Sequence, residues 1–541
     1  MTADGGNLLE LVRRNEAVRG DAPFLAVGDE VVSARAFAER VTACARGLRR
    51  AGFAPGDRLA VHLHRGVDEA VALLAAAAAG GIAVPVHGKL KDDQVAHVLA
   101  DCEPWGVVTS ATRTALLRDP EGTLGRWRLF ATAGAPADGT GGVAAAGGLA
   151  AAPWPGAAAA PFAALCATGD DAPLAAPAAA APAVLLYTSG STGLAKGVVQ
   201  THGNLVLGAE LVAGYLELSG ADHLLGLLPL SFDYGLNQLL SALHAGARIT
   251  AADFFGLGEL ATLLRRVRPT GLAGVPSLWH EVARGLRSGA LSADDGRSLR
   301  YVTNSGGRLG ADSVRALRAG WPHVRVFAMY GLTEAFRSAF LDPALLDAHP
   351  DSFGTALPGV ELLLVDPETG AVLDGPATGE LVHAGALVAQ GYWRRPDATR
   401  ERFRPDPRGG GGTVVYSGDL VRRDQDGLLS FVGRRDRMLK VQGHRVSPDE
   451  VAQAIADVPG VGAVAVYGGD AGAQGHAIVL CVAGDPRDAL LRERIARLCR
   501  ARLPAYMVPA RVRVLAALPL TPNGKVDVVR LEREDPGPEP G

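Results

Sequence analysis

The sequence predicts an α/β protein: a large N-terminal domain of two α/β subdomains plus a β-barrel-like subdomain, followed by a small α+β C-terminal lid. Three observations carry that reading. Strand and helix signals alternate through the first hundred residues, short glycine-punctuated strands replace them after Pro358, and a compact strand and helix set begins near Arg434. A chain of 541 residues is also too long for one compact core.

The elements follow in order. Arg58 to Leu63 reads as a strand, Val67 to Ala79 as a helix, Ile82 to Val86 as a strand, Asp92 to Asp101 as a helix and Gly106 to Thr109 as a strand. That βαβαβ pattern predicts a parallel sheet with right-handed crossovers. From 132 to 182 the composition collapses to Ala, Gly and Pro, and Pro153, Pro155, Pro161, Pro173, Pro177 and Pro182 exclude a long helix. The segment reads as a mobile surface excursion. The apolar strand Ala183 to Tyr187 then resumes α/β units that run to about Met329. Val360 to Val365 and Gly379 to His383 are strands of the barrel-like part. Residues 1–433 therefore form the core and 434–530 a mobile C-terminal domain, with a disordered tail over 531–541. Within the C-terminal domain, Ser447 with Glu450 three residues later makes a capping box, opening a helix to about Val458. Strands over Ala463 to Tyr467, His476 to Val482 and Arg511 to Leu515, with a helix over Arg487 to Arg502, complete it.

Composition excludes several function classes. With 48% hydrophobic and 21% charged residues, the chain can bury enough apolar surface to offset its ordering entropy. Its 54 basic and 57 acidic residues nearly cancel, with no polybasic arm, so the field that attracts nucleic acid or an anionic membrane is missing. The longest apolar run, Val71 to Val86, is broken by Gly80 and Gly81 and falls short of the ~20 residues that cross a bilayer. The charged N-terminus is not a signal peptide, and a cytoplasmic address is the expectation. Cys44, Cys102, Cys166, Cys481 and Cys499 are scattered and form no C-x-x-C, arguing against a disulfide framework or a zinc site.

Lysine occurs only at 89, 91, 196, 440 and 525, and arginine supplies the other basic residues. A lysine retained in such a chain marks a place where a compact point charge is needed. One such place is Thr188-Ser-Gly-Ser-Thr-Gly-Leu-Ala-Lys-Gly197, directly after a buried strand. Gly190, Gly193 and Gly197 let backbone amides approach an anion, Ser189, Ser191 and Thr192 add hydroxyls, and Lys196 adds charge: the inventory of a polyphosphate cradle. The spacing is not that of a Walker A loop, and the competing reading is a flexible Ser/Gly turn. Further on, Tyr330-Gly-Leu-Thr-Glu334 places a carboxylate after a tight turn, where it can hold Mg2+. In Tyr416-Ser-Gly-Asp419 a single carboxylate can accept from both ribose hydroxyls.

Taken in order, these motifs resemble those of the adenylate-forming superfamily: acyl-CoA synthetases, peptide-synthetase adenylation domains and firefly luciferases. The resemblance spans about Ala22 to Val526. It implies that Thr188, Ser189, Gly190, Ser191, Thr192, Gly193, Gly306, Tyr330, Asp419 and Arg434 bind the nucleotide and that Lys196, Thr333 and Glu334 act on its phosphates, with Glu334 on Mg2+. Gly433-Arg-Arg-Asp436 looks like the family's hinge, with Asp436 absorbing the rotation. The Lys440-Val-Gln-Gly443 loop looks like the thiol-facing segment, with Gly443 lining the pantetheine path. Pro519-Leu-Thr-Pro-Asn-Gly-Lys525 matches the terminal motif and makes Lys525 the catalytic lysine.

The implied activity is that of an AMP-forming acid–thiol ligase using ATP and Mg2+, with CoA or a carrier protein's phosphopantetheine as acceptor. Asp233, Tyr234, Asn237, Met329 and Arg337 fall at the acyl pocket. Leu230-Ser-Phe-Asp233 resembles the amino-acid-activating branch, in which the aspartate meets an ammonium, whereas Gly331-Leu332-Thr333 resembles the CoA-ligase branch. Arg337 either pairs with Asp233 or greets a second substrate carboxylate. Partners are thus a small carboxylic acid and a separate thiol, since only a short Pro/Glu tail follows the last motif. The alternatives are a stand-alone amino-acid adenylation enzyme loading a carrier protein, a non-catalytic adenylate-binding regulator, and a luciferase-like oxygenase.

Overall fold

In the computed structural model the described residues are 6–90, 92–110, 113, 128–132, 159–167, 173–189, 195–437, 439–441, 444–470, 476–503, 505–522 and 524–537. The chain divides into two compact units, the first made of Met1–Phe254, Thr333–Arg337 and Ala386–Phe403, the second of Phe255–Leu332, Ser338–Gly385 and Arg404–Gly541.

The first unit holds a seven-stranded sheet in the order Ala159–Pro161, Arg128–Thr132, Gly106–Ser110, Arg58–His62, Ile82–Pro85, Pro182–Ser189, Ala195–Thr201. All neighbours are parallel except the last pair, an antiparallel hairpin. The helix Val67–Ala78 explains why the sheet can be parallel: apart from Asp68 and Glu69 every residue is buried, as a crossover helix packed on both sides must be. The strand and helix bounds expected between residues 58 and 110 agree with those observed to within one residue. Part of the Ala/Gly/Pro excursion takes regular form, because Ala159–Pro161 adds a parallel edge strand and Phe162–Leu165 a single helical turn. Residues 133–158 and 168–172 of that excursion lie outside the described residues. The same unit pairs His223–Gly226, Arg248–Ala251 and Pro23–Val27 in parallel, with Glu30–Ser33 antiparallel at the end. Helix Asp233–Ala245 follows the first of these strands and ends at Gly246, whose φ of 67° supplies the left-handed cap. Gly235, in its first turn, has no room for a side chain, since a Cβ there would lie 2.2 Å from the Pro229 carbonyl oxygen.

The second unit begins with three parallel strands, Gly271–Gly274, Tyr301–Asn304 and Arg325–Tyr330. It turns antiparallel at Met329↔Phe340 and continues through Ser352–Ala356, Leu429–Arg434, Thr413–Arg423, Ala377–Gly385 and Val360–Val365. At the C-terminal end of the chain a three-stranded sheet, Val464–Asp470, His476–Ala483 and Arg511–Leu515, packs its apolar face on helices Pro448–Gln453 and Ala489–Arg502 around Val451, Ile455, Leu480 and Ile495. Ser447 caps the first of these, accepting from the Glu450 N–H at 3.3 Å. That helix is shorter than expected, since Ala454 to Asp457 continue as turns.

A tail disordered from residue 531 is not what the structure shows. Leu531 is buried inside helix Val528–Arg533, and Asp535 accepts from Arg511 at 3.0 and 2.7 Å. A short apolar repeat and a paired carboxylate, hidden within a Pro/Glu-rich stretch, anchor it as far as Gly537; residues 538–541 lie outside the described residues.

Candidate active site

The strands on either side of the glycine-rich segment pair antiparallel, Thr188 with Lys196 and Ser189 with Ala195. Gly190, Ser191, Thr192 and Gly193 lie outside the described residues. The base of the hairpin is held from several sides. The Tyr187 hydroxyl donates to Asp101 at 2.8 Å, His97 Nε2 meets the Ala195 carbonyl at 2.9 Å, and a Cβ at Gly197 would sit 3.0 Å from the Tyr187 ring.

Residues 390–393 add to the same hairpin through Gln390 N–H to Val199 O (3.0 Å), Val199 N–H to Gly391 O (2.9 Å) and Trp393 N–H to Gly197 O (2.7 Å). This pairing places Tyr392 beside Lys196. The lysine ammonium lies 5.3 Å from the centre of the Tyr392 ring, while the Tyr392 hydroxyl donates to Glu334 Oε1 at 2.6 Å. Burial, and after it the Glu334 charge, push the Tyr392 hydroxyl far above the usual tyrosine range, so it stays a donor at any working pH. Thr333 and Glu334 lie in a single 3-10 turn, Thr333–Ala335, pinned by Gln200 donating to the Thr333 carbonyl and by Ala389 N–H donating to the Glu334 carbonyl at 2.9 Å. Tyr392 and Gln200 were missed by the sequence reading. The available signal for the first is Gln390-Gly-Tyr-Trp393, a glycine followed by two aromatics.

Also in the first unit, Asp233 opens the helix Asp233–Ala245. Its Oδ1 accepts the Tyr234 N–H at 2.8 Å, and its Oδ2 lies 3.5 Å from Arg337 Nη1. Arg337 donates from Nη1 to the Phe336 carbonyl at 2.9 Å and from Nη2 to the Asp233 carbonyl at 3.2 Å, with its guanidinium 5.2 Å from the Tyr234 ring centre and 5.3 Å from that of Phe336. The internal pairing thus forms. Asn237, one helical turn beyond Asp233, accepts from Ser241 at 3.3 Å. Phe336 is wholly buried at φ 43° and joins the Glu334 turn to Arg337 through a tight hydrogen bond, Arg337 N–H to Ala335 O at 2.6 Å.

The second unit carries another carboxylate constellation. Tyr330, at the end of its strand, donates to Asp419 Oδ2, and Arg434 Nη1 donates to Asp419 Oδ1 at 2.7 Å. Ser417 Oγ accepts the Asp419 N–H at 3.0 Å, so the serine fixes the turn that presents the carboxylate. The Tyr330 ring stacks on Phe353 at 4.5 Å and on His383 at 5.9 Å. Burial, then the Asp419 charge, raise the Tyr330 hydroxyl well above its ordinary range, while burial lowers His383 to about 3 and keeps it neutral. Met329 is buried beside Tyr330 in the same strand, and Gly306 takes φ 82° in the turn after Tyr301–Asn304. Asp436 lies in the 3-10 turn Arg435–Arg437, whose Arg435 is anchored to Glu380 at 2.7 Å; Gly443 lies outside the described residues. Lys525 sits on a turn closed by Thr521 N–H to Lys525 O at 2.6 Å, and Ser277 Oγ donates to the Gly524 carbonyl at 3.0 Å.

Among the described residues no group of three or more His, Cys, Asp or Glu forms a resident metal cluster. A lone carboxylate such as Glu334 suits Mg2+ carried on phosphates, because Mg2+ commonly takes one or two carboxylates and completes its shell with phosphate oxygens and water. No helix among the described residues is long and apolar enough to cross a membrane.

The protein is an adenylate-forming enzyme, an acid–thiol ligase that works through AMP. The chain belongs to the AMP-binding enzyme family, whose model matches residues 12–393, and the AMP-binding enzyme C-terminal domain matches residues 450–525. It is 31% identical to an L-proline–[L-prolyl-carrier protein] ligase of Streptomyces coelicolor, covering 99% of this chain and 98% of that one. It is also 31% identical to the phosphinothricin tripeptide synthetase PhsB of Streptomyces viridochromogenes over 93% of this chain, but spans 40% of that protein's length. The ATP-bound MatB of Rhodopseudomonas palustris shares the fold, with a TM-score of 0.82 and 24% identity over 97% of this chain and 98% of MatB.

Proposed function

We propose that this ligase activates an amino acid with MgATP and passes the aminoacyl group to the pantetheine thiol of a carrier protein. The observation that carries the reading is the end-to-end match to a carrier-protein ligase, 99% of one chain on 98% of the other. The buried carboxylate of Asp233, at the first turn of its helix, agrees with it, since such a charge suits an ammonium ligand.

In the first half-reaction a carboxylate oxygen of the acid attacks the α-phosphorus, and pyrophosphate leaves with the electron pair of the broken P–O bond. Glu334 would hold the Mg2+ carried on the phosphates, which when bound would neutralise charge on the departing pyrophosphate. Lys196 faces the same phosphates, and Tyr392 orients the Glu334 carboxylate by its hydrogen bond at 2.6 Å. Asp419 takes the ribose hydroxyls, with Tyr330 against the adenine and Arg434 fixing Asp419. Lys525 steadies negative charge gathering on the reacting carboxylate and α-phosphate. In the second half-reaction the thiol sulfur attacks the acyl carbon, AMP leaves with the C–O bond pair, and the thiol proton passes to water. Asp436 serves as pivot between the two steps, and Gly443 leaves room for the pantetheine arm.

Acid-dependent ATP–pyrophosphate exchange tests the first step and mass spectrometry of a pantetheinylated carrier the second. Amino acids are expected to drive exchange at least tenfold better than their deaminated analogues, and Lys525→Ala to lower exchange by roughly 100- to 1,000-fold. Exchange unchanged by that substitution removes the role of Lys525, and no exchange with any acid removes the function.

A further inference from the structure

Two of the cysteines that lie far apart in the sequence meet in the first unit. Cys44 is wholly buried in the helix Ala34–Arg50, and Cys166, half-buried, follows the single helical turn Phe162–Leu165 at the end of the edge strand Ala159–Pro161. The chain on either side of Cys166 rests on that helix. A Cβ at Gly47 would lie 1.8 Å from the Leu165 carbonyl oxygen, so a side chain there would push the segment away. Arg50 Nη2 donates to the Ala167 carbonyl at 3.1 Å. Residues three apart on a helix are neighbours, so Cys44, Gly47 and Arg50 form one stripe. Cys166 sits between the two anchors, and its thiol meets the Cys44 thiol in a hydrogen bond.

The two thiols differ in character. Their shared hydrogen bond, and after it burial, hold the Cys44 thiol well above the ordinary range. The same bond, helped by Arg40 and opposed by burial and by Asp68, lowers Cys166. A partly exposed thiol of lowered pKa is a nucleophile, and a buried thiol in contact with it can resolve its oxidised form. Burial instead raises Cys102, Cys481 and Cys499. The segment beside Cys166 also has something to gain from a bond. Ala159–Pro161 joins the seven-stranded sheet through only three residue pairs, to Leu129, Phe130 and Ala131.

We propose that Cys166 and Cys44 form a redox-modification site, at which a peroxide converts the thiol pair reversibly to a disulfide that fastens the edge strand Ala159–Pro161 to the helix Ala34–Arg50. The Cys166 sulfur attacks one peroxide oxygen, the O–O bond breaks, and the leaving oxygen departs with the electron pair and takes up the thiol proton. The Cys44 sulfur then attacks the Cys166 sulfur of the resulting sulfenic acid. The S–S bond forms, the S–O bond breaks, and hydroxide leaves with the Cys44 proton as water. The two thiols lose two electrons in all, and one peroxide gains them. A dithiol reverses the change by thiol–disulfide exchange.

The test treats the purified full-length chain with hydrogen peroxide and maps its cysteines by alkylation and mass spectrometry, before and after dithiothreitol. A peptide pair linked through Cys44 and Cys166 is expected, with Cys102, Cys481 and Cys499 still alkylatable once the chain is unfolded, and dithiothreitol should restore both thiols. In the untreated protein Cys166 should react with iodoacetamide at least about tenfold faster than any other cysteine. Cys44→Ala, lacking the resolving thiol, should leave Cys166 as a sulfenic acid that dimedone traps. The disulfide should slow elastase cleavage within residues 159–167 by at least about tenfold, because it restrains local opening. If the variant does not fold, the cross-link in the unaltered chain still decides. No cross-link after peroxide, or one that joins the five cysteines without preference, overturns the site. Equal cleavage of the oxidised and reduced forms overturns the fastening.

Discussion

Each compact unit contains one Asp–Arg pair at its candidate site, and the two pairs are built on opposite compromises. Asp419 and Arg434 are 2.7 Å apart with a true hydrogen bond, Tyr330 takes the second carboxylate oxygen, and water reaches the arginine, whose side chain is 28% exposed. Asp233 and Arg337 are 3.5 Å apart, with side chains only 6% and 4% exposed. The first pair is held by geometry. The second is held because neither charge has a better place to go. Distance alone would rank these pairs wrongly, since the longer one is the costlier to break.

Substitutions can separate the two cases. The largest effect is expected at Asp233→Asn, which strands the buried Arg337 charge and should lower unfolding free energy in urea by about 3–5 kcal/mol. Adding Arg337→Met should recover most of that loss, because removing both charges spares the desolvation; no recovery would mean the pair is not an isolated charge balance. At Asp419→Asn, where solvent screens Arg434, the expected loss is about 2 kcal/mol with a KM for ATP raised at least tenfold. Comparable stability losses for the two single variants would erase the contrast drawn here.

A pH measurement sharpens the comparison on the Asp419 side. His383, stacked on Tyr330, has a folded pKa lowered to about 3, below the unfolded value near 6.5. The unfolded chain therefore binds the proton first as pH falls, so stability is complete above about 6.5 and declines toward 3, by about 1.4 kcal/mol per pH unit for this one group. His383→Gln should flatten the acid limb of urea midpoint against pH by about one proton. Smallest is Tyr330→Phe, expected to cost about 1 kcal/mol near neutrality. Because the Tyr330 pKa is raised, that residue's contribution vanishes as pH climbs past the ordinary tyrosine value near 10, and the variant should lack that alkaline decline.

Much of the fold was legible because its signals are local. Val67–Ala78 announces itself as a buried crossover helix, and Arg511–Leu515 was bounded to the residue by its alternation and flanking turns. The strand Ala159–Pro161 was not legible, because three residues of Ala and Pro carry no strand propensity and join the sheet only through a tertiary neighbour. In the same way Leu531 was lost inside a polar tail. Among the residues proposed for the reaction, Lys196, Glu334, Asp419 and Lys525 stand in motifs whose spacing marks them. Tyr392 and Gln200 act on residues distant in sequence, and a single sequence holds no record of such pairings. That Arg337 Nε meets no partner among the described residues is less accessible still, being a property of what surrounds the side chain rather than of the side chain itself.

Phe336 gives that arrangement its modularity. Its φ of 43° costs a non-glycine residue about 1–3 kcal/mol, and it persists because the ring packs so closely on Gly208 that a Cβ there would lie 2.4 Å from it. That one wrong-handed residue and Ala335 are the only spacers between Glu334 and Arg337. The reversal sends two side chains three residues apart to different partners, Glu334 to Tyr392 and Arg337 to Asp233, so a change at either end can leave the other's contact in place.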